Sequence, residues 1–148
     1  MKSILITGGS GLAGSNVGEF FKKRGYKVYT ADLKEKSSEG HIVCDLSKKD
    51  DLEKLPKDID YILHFAAHID ENTNPNKEYL LRNNILSTLN VLEYAERIQA
   101  KKVIYASSIT IYGEAKDYPL KENSENKPES IYGLSKYIGE ELCRIYEK

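Results

Sequence analysis

Three groups of residues in this 148-residue chain have types and spacings that could do chemistry. The first is Thr7-Gly-Gly-Ser-Gly-Leu-Ala-Gly14, which follows the apolar run Ile4-Leu5-Ile6 and precedes an amphipathic segment. Two overlapping patterns fit it, Gly9-x-Gly11-x-x-Gly14 and Gly8-x-x-Gly11-x-x-Gly14. Glycine supplies positive φ and close backbone approach, and a helix starting here would offer unpaired N–H groups to a phosphate. The second is Asp32, about 20 residues further on, the usual offset for a carboxylate that accepts hydrogen bonds from an adenosine ribose. A carboxylate there repels the 2′-phosphate of NADP, so the expected cofactor is NAD. The third is Tyr132 with Lys136, four apart and hence on one helix face. An ammonium beside a phenol favours the phenolate and makes a base that works near neutral pH.

Each group also has an ordinary reading. A glycine turn needs no ligand, an aspartate after a strand is commonly solvated, and Tyr-x-x-x-Lys arises by chance in a chain with eleven tyrosines. His64 and His68 invite a metal or catalytic role, but no third ligand stands at helical spacing, and a strand-end histidine is more often a structural hydrogen-bonding group. No metal site is expected. Cys44 and Cys143 show neither redox nor zinc spacing and read as plain thiols in or near the core.

The elements that would position these groups alternate between strand-like and helix-like, the pattern of an α/β fold with a doubly wound parallel sheet and helices on both faces. Strands are expected over residues 2–6, 27–31, 42–44, 61–67 and 103–106. A helix over residues 12–24 would turn Val17, Phe20 and Phe21 inward and stop at Gly25. A short helix covers residues 49–55. A polar loop with Pro75 leads into a long helix over residues 77–99, with an apolar stripe of Leu81, Ile85, Leu89, Leu92 and Ala95. Asn84 lies one position from that stripe. The strand ending at Ala106 delivers Ser107 and Ser108 to the sheet edge where ligands bind. Residues 113–130 are polar and irregular, and a final helix from Tyr132 would turn Ile138, Leu142 and Ile145 inward. The net charge of −1, with acids and bases mixed, points to neither nucleic acid nor a membrane surface. The N-terminal apolar run is too short for a secretory or spanning segment, which suggests a cytoplasmic location.

The glycine turn, Asp32, Asp45-Leu46, His64-Phe-Ala-Ala67, Asn84 with Thr88, Val103-Ile-Tyr-Ala-Ser-Ser108 running to Tyr112-Gly113, and Tyr132-Gly-Leu-Ser-Lys136 come in one order and spacing. Together they resemble the extended short-chain dehydrogenase/reductases, in particular the NAD-dependent epimerase/dehydratase group acting on nucleotide sugars. The resemblance covers essentially the whole chain and implies a Rossmann-type domain. Under it, Gly8, Gly11, Leu12, Ala13 and Gly14 hold the pyrophosphate and Asp32 the adenosine ribose. Asp45 and Leu46 border the adenine, Phe65, Ala66 and Ala67 line the groove, and Asn84 supports it. Tyr132 is the base, Lys136 binds the nicotinamide ribose and lowers the tyrosine pKa, and Ser108 donates to the reacting sugar oxygen. The implied activity is epimerisation of a nucleotide sugar. The alternatives are a reductase acting on a keto sugar and a non-catalytic NAD-binding fragment or sensor.

Some positions depart from the group's pattern. Ser87 stands where many members have glycine, and the spacing from Pro75 and Tyr79 to Asn84 differs by one residue, which points to an altered loop before the long helix. Ile109 and Thr110 occupy the positions of the Asp-Glu pair of 4,6-dehydratases, which argues against dehydration. Members run to about twice this length, so residues 1–148 are expected to be the NAD-binding domain with the C-terminal substrate domain absent. A homodimer through the 77–99 and 132–148 helices is expected, as in the group.

Overall fold

The computed structural model describes residues 1–69, 76–114 and 118–147. The elements run β1 (Ser3–Thr7), α1 (Leu12–Lys22), β2 (Lys27–Asp32), β3 (His41–Val43), a 3-10 helix (Lys49–Lys54) and β4 (Tyr61–His64). Then come α2 (Lys77–Leu81), a π turn (Arg82–Leu86), α3 (Ser87–Arg97), β5 (Lys102–Tyr105), a second 3-10 helix (Ile109–Tyr112) and α4 (Ile131–Tyr146). The loop with Pro75 and residues 115–117 of the 113–130 segment lie outside the described residues, as does Lys148.

All strand pairs are parallel, in the order β3-β2-β1-β4-β5. β1 is central and wholly buried because Ile4, Leu5 and Ile6 face apolar layers on both sides, as a covered parallel sheet requires. Leu5, Ala31 and Ile62 pack with Val91, Tyr94 and Ala95 of α3 on one face. Ile4, Ile6, Val28 and Leu63 pack with Val17 and Phe21 of α1 on the other. The chain reverses its direction of travel across the sheet between β1 and β4, so their C-terminal ends flank a crevice, the place where open α/β sheets bind ligands.

Three helix faces differ from the sequence expectation. On α1 the buried residues are Gly14 and Gly18, with Val17 and Phe21 half-buried, while Phe20 is 48% exposed and lies under the Arg24 guanidinium. Small residues let this helix descend onto the sheet, and they rotate Phe20 out of the contact. On the long helix the buried residues are Leu80, Asn84, Ser87, Thr88, Asn90, Val91, Leu92, Tyr94 and Ala95; Leu81, Ile85 and Leu89 are only half-buried. The π turn is the cause, because an i→i+5 turn takes up one extra residue and shifts the helix face by that residue. On α4 the buried residues are Gly133, Ser135, Lys136 and Gly139, with Ile138 and Leu142 half-buried and Ile145 72% exposed. Here too the small side faces the protein. Boundaries shift slightly as well: β3 ends before Cys44, β4 ends at His64, and the helix expected at 49–55 is a 3-10 helix. Among the described residues no helix is long and apolar enough to cross a membrane.

Candidate cofactor and active site

The glycine turn closes over the C-terminal end of β1. Gly8 has φ +70°, and a Cβ on it would stand 2.7 Å from the Ala66 backbone nitrogen. A Cβ on Gly14 would stand 2.3 Å from the Gly8 carbonyl oxygen. Backbone from two strand ends therefore meets here with no room for side chains. The Gly8 N–H donates to the Ala31 carbonyl at 2.8 Å, which ties the turn to β2. α1 begins after Gly11 without a side-chain cap, so its first N–H groups, from Leu12 to Gly14, stand at an open helix mouth. Asp32 closes the rim: one carboxylate oxygen accepts the Ser10 N–H at 2.9 Å and the other the Lys34 N–H at 3.2 Å. The Ser10 Oγ is buried with no hydrogen-bond partner among the described residues.

Beside the turn lies a cavity of about 480 Å³. Gly8, Gly11, Asp32, Leu46, Phe65, Ala66 and Ala67 line it, so this part of the expected constellation comes together. Asp45 is not in its wall; its carboxylate accepts from the Ser47 N–H and hydroxyl and pairs with Lys48, while Cys44 and Leu46 on either side face the cavity. His68, Tyr79 and Ser87 also line it, as do Lys34 and Asn83, which the sequence did not single out. Ser87, the residue in place of glycine, is buried and its hydroxyl donates to the Asn83 carbonyl. Cys44 is 1% exposed, its thiol donates to the Asp51 carbonyl at 3.5 Å, and burial pushes its pKa up to about 11. The partnerless Ser10 hydroxyl, the side-chain-free cradle and the uncapped helix fit the pyrophosphate of an adenine dinucleotide, and Asp32 fits its ribose.

A second cluster joins the ends of β4 and β5 to the long helix and α4. His64 is 1% exposed and bridges the Thr7 hydroxyl, 2.6 Å from Nδ1, and the Thr88 hydroxyl, 3.0 Å from Nε2. Thr88 donates its own hydrogen to the Asn84 carbonyl, so it accepts from Nε2–H, and Nδ1 accepts from Thr7. Burial, helped by the nearby Lys136 charge, pushes the His64 pKa down to about 3, which keeps the imidazole neutral and structural.

Asn84 is 1% exposed, and its side chain acts as a strand edge would. Its oxygen accepts the His68 N–H at 2.7 Å, and its nitrogen donates to the His68 carbonyl at 3.0 Å. The same nitrogen donates to the Ser135 Oγ at 2.9 Å, and Ser135 donates to the Tyr132 carbonyl at 2.7 Å. One amide thus links the wall of the groove to the helix that carries Tyr132 and Lys136. Ser135 was missed from sequence, although its place between the two was visible.

α4 starts at Ser130, whose hydroxyl caps it by accepting the Gly133 N–H at 3.0 Å. A Cβ on Gly133 would lie 2.6 Å from the Thr110 carbonyl oxygen, so this glycine lets Tyr132 close on the segment that begins at Ser108. Ser108 Oγ accepts from the Thr110 hydroxyl at 2.9 Å and the Thr110 N–H at 3.3 Å, which leaves its own hydrogen free to donate outward. Lys136 is 2% exposed, and burial pushes its pKa down to about 8. Ser108, Tyr132, Lys136 and Asn84 are not in the wall of the 480 Å³ cavity. Among the described residues no cluster of three or more metal-ligating side chains occurs.

The chain matches the NAD dependent epimerase/dehydratase family model over residues 4–148. It is 35% identical, over 98% of its length and 51% of the relative's, to a Methanocaldococcus jannaschii protein provisionally named a UDP-glucose 4-epimerase. It is 33% identical to uronate dehydrogenase of Pseudomonas syringae pv. tomato, over 97% of this chain and 53% of that one. A crystal structure of a short-chain dehydrogenase/reductase superfamily protein from Agrobacterium tumefaciens with bound NAD superposes with a TM-score of 0.93 at 26% identity. That match covers 99% of this chain and 45% of the other. The chain spans about half the length of the relatives it matches.

Proposed function

The chain belongs to the NAD-dependent epimerase/dehydratase family, and from that premise we propose that residues 1–148 bind NAD at the β1–β4 crevice and carry the proton-handling residues of a nucleotide-sugar epimerase. The observation that carries this reading is Lys136, buried one helical turn beyond Tyr132 on a helix that Gly133 closes against the Ser108 segment. Gly8, Gly11, Leu12, Ala13 and Gly14 would hold the pyrophosphate, Asp32 the adenosine ribose, and Leu46 with Phe65, Ala66 and Ala67 the adenine side of the groove. NAD, when bound, supplies a hydride acceptor that is regenerated within the same cycle. Tyr132 Oη takes the proton from the sugar hydroxyl and later returns it. Lys136 supplies the positive charge that favours the proton's departure. Ser108, its lone pairs engaged by Thr110, donates its hydrogen to the sugar oxygen that becomes a carbonyl. Asn84 and Ser135 keep α4 in register with the groove.

The similarity to a uronate dehydrogenase keeps a second reading in play, a net oxidation or reduction that consumes the cofactor. Interconversion of a UDP-sugar without net change in NADH supports the epimerase, and stoichiometric NADH turnover supports the second reading. The apolar residues left open on the long helix and α4 support a homodimer built on those two helices.

Calorimetric titration of the chain with NAD and NADP tests the cofactor site. NAD is expected to bind in preference to NADP, and Asp32→Ala to weaken NAD by about tenfold or more, the scale of a lost hydrogen bond to a charged group. Tyr132→Phe should bind NAD nearly as the parent does while losing sugar turnover. Equal affinity for the two dinucleotides would overturn the role given to Asp32.

A further inference from the structure

Among the described residues Lys136 is the only buried Lys, Arg, Asp or Glu. A lysine in the interior ordinarily pairs with a carboxylate, yet among the described residues no salt bridge involves Lys136. Its Nζ stands instead 4.2 Å from the centroid of the Tyr105 ring, over the ring face. The groups around it are few. Glu140 and Cys143 follow on its own helix and act from a distance, Tyr132 precedes it by one turn, and His64 on β4 is neutral. Tyr105 on β5 is the group in contact.

The protein is shaped to keep that ring in place. A Cβ on Gly139, one turn past Lys136, would stand 2.2 Å from the Tyr105 Oη, so α4 is cut back to glycine where the ring ends. The Tyr105 ring also neighbours the His64 ring, at 5.6 Å between centroids and tilted by 36°. The Tyr105 hydroxyl is buried without a hydrogen-bond partner among the described residues. A buried, unpaired hydroxyl is unfavourable. The part of Tyr105 that meets Lys136 is its aromatic face.

We infer that Tyr105 is a positioning residue for the chemistry proposed above: the face of its ring stands in for a counter-ion, holding the buried Lys136 ammonium charged and oriented without neutralising it. The reason lies in how the two kinds of partner act at a distance. A carboxylate would cancel most of the positive potential that Lys136 projects on Tyr132. A ring quadrupole attracts the ammonium at contact, and its field falls off too steeply to cancel that potential one turn away. This inference rests on the role assigned to Lys136, so the test reads the Tyr105–Lys136 contact separately from cofactor binding.

The experiment places phenylalanine and then a series of increasingly fluorinated phenylalanines at position 105, and follows the Lys136 ammonium by NMR titration of lysine-labelled chain without cofactor. Lys136→Met assigns the signal. Fluorine withdraws charge from the ring face while scarcely changing its volume, so the packing against Gly139 and His64 is kept. Tyr105→Phe should leave the Lys136 titration midpoint within a few tenths of a unit. The fluorinated series should lower it in steps to about one unit below that. A flat series in folded protein overturns the inference. NAD titration of the same variants reports on the cofactor site by itself, so loss of binding in the parent chain would count against the proposed function and not against the contact.

Discussion

His64 shows how a single side chain can look catalytic and be structural. Both ring nitrogens are used inside the protein, by Thr7 and Thr88, and the imidazole is held neutral with its pKa near 3. The sign of the consequence follows from proton counting. Below its ordinary pKa the unfolded imidazole takes up a proton that the folded one does not, so stability falls as the solution is acidified. Between pH 7 and pH 5, where most carboxylates stay ionised, the expected loss is about 2 kcal/mol. Urea unfolding at pH 7, 6 and 5 measures it. His64→Gln should start lower at pH 7, because Thr7 and Thr88 lose a partner, but its stability should change less across that window. Parallel profiles for the two proteins would contradict a neutral, buried imidazole. The residue types at the site were legible because glycine turn, Asp32, Ser108 and Tyr132-x-x-x-Lys136 are local patterns. Tyr105 and Ser135 were not, since a strand tyrosine and a helix serine gain their roles only from contacts across the sheet and between helices.

At the scale of elements, glycines decide which way α1 and α4 face, and these two helices did not follow hydrophobic periodicity for that reason. Gly14 and Gly18 bring α1 down on the sheet and turn Phe20 outward, while Gly133 and Gly139 do the same for α4 and turn Ile145 outward. These glycines are not equivalent, and two alanine substitutions should separate them. At Gly18 a Cβ would meet Ile6 and Val28 at 3.6 and 3.9 Å, ordinary contact distances. Gly18→Ala should therefore stabilise the protein by about 0.5–1 kcal/mol through helix propensity. At Gly133 the Cβ would lie 2.6 Å from a backbone carbonyl that cannot swing away. Gly133→Ala should cost about 1–3 kcal/mol and push Tyr132 away from Ser108. Denaturant midpoints for the two variants check the order, and a Gly133→Ala protein as stable as the parent would show that α4 does not bear on the Ser108 segment. The π turn was not legible in the sequence, because nothing local marks an extra residue inside a helix.

For the whole molecule, the alternation of strand and helix predicted a doubly wound parallel sheet, and the order β3-β2-β1-β4-β5 agrees with it. Fold class was legible because continuous buried runs such as Ile4-Leu5-Ile6 occur at regular intervals between helical segments. Surface fate was less so. Leu86, Leu134 and Ile145 are exposed on the long helix and α4, with Ile85, Leu89, Ile138 and Leu142 half-exposed beside them. If a second copy covers this face, Leu134→Glu with Ile145→Asp should shift the chain from dimer to monomer in sedimentation velocity while leaving the far-ultraviolet circular dichroism unchanged. A parent chain that sediments as a monomer at high micromolar concentration would remove the homodimer from the proposal. Cys44 bears on the life of the molecule under oxidative stress. With its pKa near 11, only about one thiol in ten thousand is ionised at pH 7, and ionised sulfur is what peroxides attack. The wall of the proposed dinucleotide groove thus holds a sulfur that is both buried and un-ionised, the state in which a cysteine is least open to oxidation.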